Sequence, residues 1–561
     1  MSKENVKKMV ELARMHVEAG GIRAAELYYR MILKAVEPAT TSLDRMAGGE
    51  ANAFFAARAV AKGRHGEACD WYQRAVFADP LFVDYRLNFI IKALMPMGMF
   101  KNAKIEAERV TRIEPENPDG WRALALCCAA LNDEEGAAAA YDMQVKLDPD
   151  NDLAWIDRAV LAVNVGDYDK ARVCVDRIGP GTNHHGEALH MLGLIAYRES
   201  RHEDAIALYK LAMHRGVQDP EQVKWNMSLA LHAIGEYREG FELAEARGRQ
   251  KADQMMRVVM NRFTVPALTP EELTGEPLKI HVHHEMGNGD AIAMARYLPM
   301  LTDLGHEVTL ETMDSMVDLF ARSFPGVRVV PRAIDYPGSL GVPVPMDRQI
   351  TTLSLPYLFG TTVSNVPWHG PYLTPDPALV AKYAGLLRRT KPSTQIGLCW
   401  SSGIREDGLW ISRYGKAKSM HFNHLNMMRR LTSIEFVNLQ IGPEREQHEG
   451  RISDVLPRKP SWDETAALVA NLDMVVTVDT AVAHLAGAMG KPTLLLMQKD
   501  GATWHFMCER PGAIWNEASP WYPSIRIFRQ KTPGGWSEVV SRAAEALAEN
   551  LGDSGSVAAA G

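Results

Sequence analysis

The chain has 561 residues and a formal net charge of −7, so it is too long for one hydrophobic core and several domains are expected. The charge shows no basic excess, which argues against a nucleic-acid partner. Its six cysteines form no CxxC pair, so neither a zinc site nor a disulfide framework is predicted. Long uncharged apolar runs are also lacking in the sequence, and we therefore expect a cytoplasmic protein without a membrane span.

A small residue recurs at nearly constant spacing in the first half of the chain. The positions are Ala25, Ala68, Ala103, Ala137, Ala171, Ala205 and Gly240, separated by 43, 35, 34, 34, 34 and 35 residues. A turn-forming residue stands five positions before each of them: Gly20, Gly63, Gly98, Asn132, Gly166, Ser200 and Gly235. Tyrosines recur four positions later (Tyr29, Tyr72, Tyr141, Tyr209) and prolines twelve positions later (Pro80, Pro115, Pro149). Each period predicts one antiparallel helical pair, and the longer first gap predicts a longer helix or loop in the second pair.

These offsets resemble the tetratricopeptide repeat (TPR), and we assign residues 1–248 to an α-helical array of seven pairs. Because one pair cannot bury its apolar face alone, the pairs are expected to stack as a solenoid with a concave inner surface. Such surfaces typically hold a peptide or a protein. The resemblance therefore implies a polypeptide partner.

The pattern changes after the array. Residues 249–277 are predicted to be a linker, because the periodicity fades and prolines follow in a polar stretch. Strand, loop and helix patterns then alternate from KIHVHH through HEVTLET to VRVVP, and start again at TQIGLCW. This alternation predicts two Rossmann-like, doubly wound α/β domains at 278–380 and 381–551, facing a cleft at the carboxyl ends of their strands. The small, polar residues 552–561 are expected to be a disordered tail.

The first motif that could carry chemistry is EMGNGD at residues 285–290, between a predicted strand and a predicted helix. Gly287 and Gly289 permit a tight backbone and the close approach of a ligand. Asp290 lies at the start of the helix, where its side chain can point into the cleft. The plainer alternative is that Asp290 only caps the helix.

The second motif is VDTAVAH at residues 478–484, directly after the apolar run MVVTV. The first free amides of the following helix, near Thr480, point at the cleft and favour a bound diphosphate. Asp479 can cap the helix or hold sugar hydroxyls. His484 is one turn further on, and for it a purely structural role is an equal alternative.

Two other groups of residues are expected to be structural. His281, His283 and His284 lie on a predicted strand without accompanying carboxylates or cysteines, so a metal site is not predicted there. Trp521, Tyr522 and Trp536, in an aromatic and Arg-rich segment, are expected to pack between the two domains, or alternatively to line an acceptor channel.

From about residue 265 to 551 the chain resembles the bacterial GT-B glycosyltransferases that are fused to TPRs. That group is related to the heptosyltransferases and, by domain plan, to the protein O-GlcNAc transferases. The matching motifs are E-x-G-x-G-D at 285–290, WSSG at 400–403, NLQIG at 438–442 and DTAVAHLAGAMGKP at 479–492. The resemblance implies inverting transfer from a nucleotide sugar without a bound metal or other cofactor, and Asp290 matches the position of the catalytic base. The implied donor-binding residues are Gly287, Gly289, Trp400, Ser402, Lys418, Gln440, Asp479, Thr480, Ala481 and His484, with Arg413 as a further source of positive charge.

Within this group, the enzymes that glycosylate flagellin are the most similar functional type, because there the array holds the acceptor protein. We therefore expect a protein glycosyltransferase whose array recruits a polypeptide, such as flagellin. Two alternatives remain open. The chain could be a scaffold or chaperone whose second half has lost activity, or a transferase of the lipopolysaccharide type that acts on a saccharide.

Overall fold

A computed structural model gives the structure of the chain at residues 3–37, 39, 41–251, 259–260, 263–332, 345–387, 393–403, 409–431, 434–499, 505–507 and 517–551. The chain forms two compact units, one of Met1–His184 with Glu406–Ile411 and the other of His185–Arg405 with Ser412–Gly561. The predicted linker is described only in part, and the predicted tail and Cys508 lie outside the described residues.

The first unit is helical. Its helices are α1 (Lys3–Glu18), α2 (Ile22–Ala35), α3 (Ser42–Ala61), α4 (His65–Ala78), α5 (Val83–Phe89), α6 (Phe100–Ile113), α7 (Pro118–Ala130), α8 (Glu134–Leu147), α9 (Asp152–Val165) and α10 (Tyr168–Val175). Helix α5 continues into a π-helical turn, Ile90–Leu94. The 20-residue α3 accounts for the long first gap of the repeat.

The turn-forming residues and the small residues of the repeat pattern have the structural roles that the sequence predicts. All seven turn-forming positions adopt positive φ angles, from 59° at Asn132 to 83° at Gly235, a conformation that ends the first helix of each pair. The six recurring alanines are completely buried, since only a small side chain fits where two helices of a pair touch. Trp121 and Trp155 donate from their indole nitrogens to the carbonyls of Pro115 and Pro149 at 2.8 Å.

The second unit begins with two more helical pairs, α11 (His185–Arg198) with α12 (His202–Arg215) and α13 (Pro220–Ala233) with α14 (Tyr237–Ala244). A 3-10 turn, Glu245–Gly248, ends this segment. The last two repeats therefore belong to the same compact unit as the α/β part of the chain. The domain bounds derived from the sequence stay a prediction.

The first sheet contains four parallel strands in the order β3-β2-β1-β4. They are β1 (Lys279–His283), β2 (Glu307–Thr312), β3 (Val327–Pro331) and β4 (Arg348–Thr351). Helices α15 (Asn288–Met294) and α16 (Leu298–Asp303) join β1 to β2, α17 (Val317–Ser323) joins β2 to β3, and α18 (Leu355–Leu358) follows β4.

The second sheet contains five parallel strands in the order β6-β5-β7-β8-β9. They are β5 (Thr394–Cys399), β6 (Ile434–Asn438), β7 (Met474–Val478), β8 (Thr493–Met497) and β9 (Ile525–Arg529). The associated helices are α19 (Pro377–Leu386), α20 (Leu409–Ala417), α21 (Trp462–Ala470), α22 (Ala481–Ala488) and α23 (Trp536–Leu551). Val475 packs into one hydrophobic cluster and Val476 into another, so β7 is covered on both faces, as its apolar sequence predicts.

One buried arginine links the two sheets. The guanidinium of Arg296, which follows α15, lies 5.0 Å from the ring of Trp521 and 4.7 Å from that of Tyr522. It also donates to the carbonyl of Trp521 at 2.8 Å. Trp521 and Tyr522 are fully buried, so the structure places them in packing between the two sheets rather than along a channel. Trp536 is also buried, but it packs in the hydrophobic cluster of the second sheet alone and not between the sheets. None of the helices in the described part of the chain is long and apolar enough to span a bilayer.

Candidate active site

The motif at residues 285–290 covers the end of the loop after β1 and the first three residues of α15. Asp290 is the third residue of α15, and its Oδ2 accepts a hydrogen bond from the backbone N–H of Gly287 at 3.2 Å. The carboxyl group therefore caps the helix, as the plainer interpretation of the sequence proposes. It keeps one oxygen that this bond does not use, and its side chain is only partly buried. Capping and a role in the cleft are thus compatible.

A second helix begins beside this loop. Helix α22 follows β7, and Thr480 caps it by accepting a hydrogen bond from the N–H of Val482 at 3.2 Å. The first amides of a helix lack partners within the helix and carry the positive end of its dipole. The turn at Thr480 and Ala481 therefore offers donors to an anion.

The start of α15 packs directly against α22. A Cβ atom added at Gly289 would lie 2.7 Å from Cδ2 of His484 and 3.3 Å from Cα of Ala481. Only glycine fits this approach. The structure thus brings together the two motifs that the sequence analysis singles out, although about 190 residues separate them.

Lys418 adds a positive charge at the same place. Its Nζ lies 2.8 Å from Oδ2 of Asp479 and 4.9 Å from the ring centroid of Tyr414. Burial alone would lower the pKa of Lys418, but the carboxylate of Asp479 outweighs it and the pKa is raised. Lys418 therefore stays a cation. Arg413, the other predicted cation, is exposed.

The carboxyl group of Asp290 is poised to exchange a proton near neutral pH. Burial raises its pKa to about 6, and the charges of Asp479 and Glu285 act in the same direction. The hydrogen bond from Gly287 and the charge of Lys418 oppose this shift. A carboxylate of this pKa is ionised at neutral pH and is a stronger base than an exposed aspartate.

His484 is held as a neutral imidazole. Burial lowers its pKa to about 4. Its Nδ1 is paired with the hydroxyl group of Tyr522 at 3.0 Å, and the ring of His505 packs edge-on at 4.5 Å. The Cδ2 edge of the imidazole faces Gly289. The role of Tyr522 in orienting His484 was not predicted, because the two residues are 38 positions apart.

Three predicted donor-binding residues lie behind these groups. Trp400 has no exposed surface and packs in the core against Phe422, with ring centroids 4.8 Å apart. Gln440 is buried, and its side-chain oxygen accepts hydrogen bonds from the backbone of Trp400 and Ser401 at 3.0 and 2.8 Å. Ser402 follows in the same loop and is partly exposed. In the structure, Trp400 and Gln440 stabilise the loop after β5. Donor binding by either residue stays a prediction.

Glu285, the first residue of the motif, forms a buried ion pair with Arg247. The sequence analysis does not identify this contact, since Arg247 falls where the repeat periodicity fades. The one sign of this contact in the sequence is that a charged residue, Arg247, lies on the apolar side of the last repeat.

The histidines of β1 have protein partners. His281 lies 3.3 Å from Glu311 and His283 lies 2.8 Å from Gln349, measured between polar side-chain atoms. His284 contacts the carbonyl of Gly287 at 3.2 Å through Nε2, which supports the loop before Asp290. Among the residues that the structure describes, no group of three or more His, Cys, Asp or Glu side chains is arranged to hold a metal ion.

Comparisons with known proteins agree with these two parts of the chain. Residues 444–503 match the family model described as glycosyltransferase family 9 (heptosyltransferase), and residues 97–152 match a tetratricopeptide repeat model. The first match contains the motif at the start of α22. Protein FlbA of Caulobacter vibrioides is 26% identical over 462 residues, which cover 77% of this chain and 73% of FlbA.

Similar solved structures include two TPR proteins. The one from Parabacteroides merdae has 14% sequence identity and a TM-score of 0.38, and the match covers 45% of this chain and 96% of that protein. The one from Thermus thermophilus has 17% identity and a TM-score of 0.28, and covers 33% and 98% respectively. The two family matches identify tetratricopeptide repeats and a C-terminal glycosyltransferase family 9 domain in this chain.

Proposed function

We propose that this protein is a GT-B glycosyltransferase that moves a sugar from a nucleotide-sugar donor to a polypeptide, with inversion at the anomeric carbon. The observation that carries the proposal is the meeting of two helix starts, α15 and α22, at Gly289. One brings a carboxylate of raised pKa, and the other brings free amides beside a partly buried lysine, Lys418. The proposed base and the proposed anion site thus lie at two helix starts that pack against each other.

The donor diphosphate would bind at the start of α22. The amides near Thr480 and Ala481 supply hydrogen bonds, and Lys418 supplies a full positive charge. In the free protein Asp479 holds Lys418 in place at 2.8 Å. Because Lys418 and the helix neutralise the charge of the leaving diphosphate, the proposed mechanism needs no metal.

Asp290 would act as the general base. Its carboxylate takes the proton from the acceptor hydroxyl group as the acceptor oxygen attacks the anomeric carbon. The bond from that carbon to the diphosphate oxygen breaks, and its electron pair leaves with the nucleoside diphosphate. A single displacement of this kind inverts the configuration at the anomeric carbon, and no covalent enzyme intermediate forms.

The acceptor would be a polypeptide that the repeats recruit in the cytoplasm. The TPR match supports a protein-binding role for the array. Flagellin is the acceptor that the resemblance to the repeat-fused transferases implies. The match to FlbA covers 77% of this chain and supports the domain arrangement.

Donor binding tests the first part of this proposal. We expect one nucleotide sugar of a panel, and the matching nucleoside diphosphate, to raise the melting temperature of the full-length protein. The same ligands should have little effect on a Lys418→Met variant, while Lys382→Met, which changes an exposed lysine of α19, should respond like the parent. If no nucleotide sugar shifts the melting temperature, the scaffold alternative is preferred.

A further inference from the structure

We propose that Arg247, at the end of the repeat array, is a positioning residue for the loop that carries Asp290. This inference rests on the proposed function, because it concerns the group assigned as the base. It also makes the last repeat a structural part of the active site, in addition to any part that the array has in binding an acceptor.

The contact between Arg247 and Glu285 is a two-point ion pair with almost no exposed surface. Nε of Arg247 donates to Oε2 of Glu285 at 3.2 Å, and Nη2 donates to Oε1 at 2.8 Å. The exposed fractions of the two side chains are 1% and 0%. Paired N–H groups of this geometry fix the orientation of a carboxylate as well as its position.

The other donors of Arg247 are also used. Nη1 donates to the carbonyl of Ala244 at 2.9 Å and to Glu245 at 2.8 Å. Nη2 additionally lies 2.8 Å from the hydroxyl oxygens of Thr351, the last residue of β4, and Ser354, which ends the 3-10 turn that follows. The guanidinium thus joins the last turn of the array, the end of β4 and the start of the catalytic loop. A lysine could keep the charge but not this set of contacts.

Residues 284–287, between β1 and α15, are outside regular secondary structure. Glu285 is held there by Arg247 and by the N–H of Leu353, which donates to Oε1 at 3.2 Å. The carbonyl of Gly287 contacts Nε2 of His284 and accepts from the N–H of Ala291 at 3.1 Å, and the N–H of Gly287 donates to Asp290. These contacts hold the end of the loop next to α15, so the anchor at Glu285 holds the end next to β1. Loss of the anchor at Glu285 would therefore free that end of the loop, and small displacements of a catalytic group are costly.

The ion pair of Arg247 and Glu285 also has an electrostatic effect on Asp290. The negative charge of Glu285 contributes to the raised pKa of Asp290, and Arg247 counters that charge from the opposite side of Glu285. A neutral residue in place of Glu285 should lower the pKa of Asp290. A role in folding alone would leave that pKa unchanged.

The test uses full-length Arg247→Lys with hydrogen-exchange mass spectrometry and steady-state kinetics. We expect peptides over residues 284–294 to exchange at least about fivefold faster than in the parent and kcat to fall about tenfold. The KM for the nucleotide sugar should stay within about twofold, since α22 and Lys418 are untouched. Arg86→Lys is the matched control, because Arg86 is similarly buried in a pair with Glu106 within the first unit, and it should change neither quantity.

A second variant tests the inference if Arg247→Lys does not fold. In Glu285→Gln, the acid limb of the kcat profile should move to lower pH by about half a pH unit or more. Unchanged exchange and kcat in folded Arg247→Lys, or an unmoved acid limb in Glu285→Gln, would overturn the inference. If exchange rises but Asp290→Asn still turns over, the loop is positioned as we infer and the assignment of the base is wrong.

Discussion

Asp290→Asn should make the protein more stable and inactive at the same time. Burial raises the pKa of Asp290 from its ordinary value of 3.8 to about 6, which corresponds to about 3 kcal/mol of unfolding free energy when the carboxyl group is fully ionised. The folded protein binds this proton more tightly than the unfolded chain does. The stability that the proton provides is therefore complete below the unfolded pKa and is lost as the pH rises through the folded pKa.

Asparagine removes this cost because its amide stays neutral at every pH, and its side-chain oxygen can still accept the hydrogen bond from Gly287. We expect Asp290→Asn to exceed the parent in stability by up to about 3 kcal/mol near pH 8 and by roughly half as much near pH 5. Sugar transfer should be abolished in the same variant.

Urea unfolding measures this difference in stability. Unfolding is followed by the hydrogen exchange of peptides from β7, because these peptides report on the second unit. Asp303→Asn, at an exposed position that ends α16, is the control for the loss of one negative charge. Equal stability of parent and Asp290→Asn near pH 8 would refute the reasoning about burial. Retained transfer by the variant would refute the assignment of the base.

Three further predictions concern the other groups of the site. Lys418→Met should weaken nucleoside diphosphate binding at least about tenfold by calorimetry, because it removes a charge-assisted contact with phosphate; unchanged affinity would contradict the proposed anion site. Gly289→Ala should lower the melting temperature and abolish turnover, since the added Cβ would lie 2.7 Å from Cδ2 of His484, whereas Gly385→Ala, with open space around it, should do neither. Tyr522→Phe removes the hydrogen bond to Nδ1 of His484 and should reduce kcat several-fold without loss of secondary structure, as measured by circular dichroism; full activity would show that the orientation of His484 does not matter.

The repeat array could be predicted in detail from the sequence, because every element of its signal is local. The turn at Gly166 needs a positive φ angle, and the helix contact at Ala171 needs a small side chain. Both requirements recur at a fixed period, so each repeat supports the interpretation of the next. The boundary between the two compact units, at His184 within the array, has no such local signal.

Several strands are predicted from the alternation of strand, loop and helix patterns. KIHVHH, HEVTLET and the apolar run MVVTV, which form β1, β2 and β7, are examples. Strands β4 and β9 were not predicted: β4 has four residues, RQIT, and β9 carries arginines at both Arg526 and Arg529. These two strands form because they pair with neighbouring parallel strands. The sequence of a short polar segment does not encode that pairing.

The two loops of the site could be found from sequence because a glycine-rich or Thr-capped turn after a strand has a specific use. The ion pairs that hold these loops in place could not be found in this way. The pairs of Lys418 with Asp479 and of Arg247 with Glu285 each join residues 38 or more positions apart. Such pairs depend on the way in which the two sheets and the last repeat come together.

The most direct test of the central claim is transfer itself. Purified full-length protein would be incubated with labelled nucleotide sugars and a lysate from cells of the natural host that lack this protein, and the products would be separated into protein and saccharide fractions. We predict that one sugar labels a polypeptide, and that neither Asp290→Asn nor Lys418→Met produces this label. Label in the saccharide fraction alone, or no label from any donor, would contradict the account.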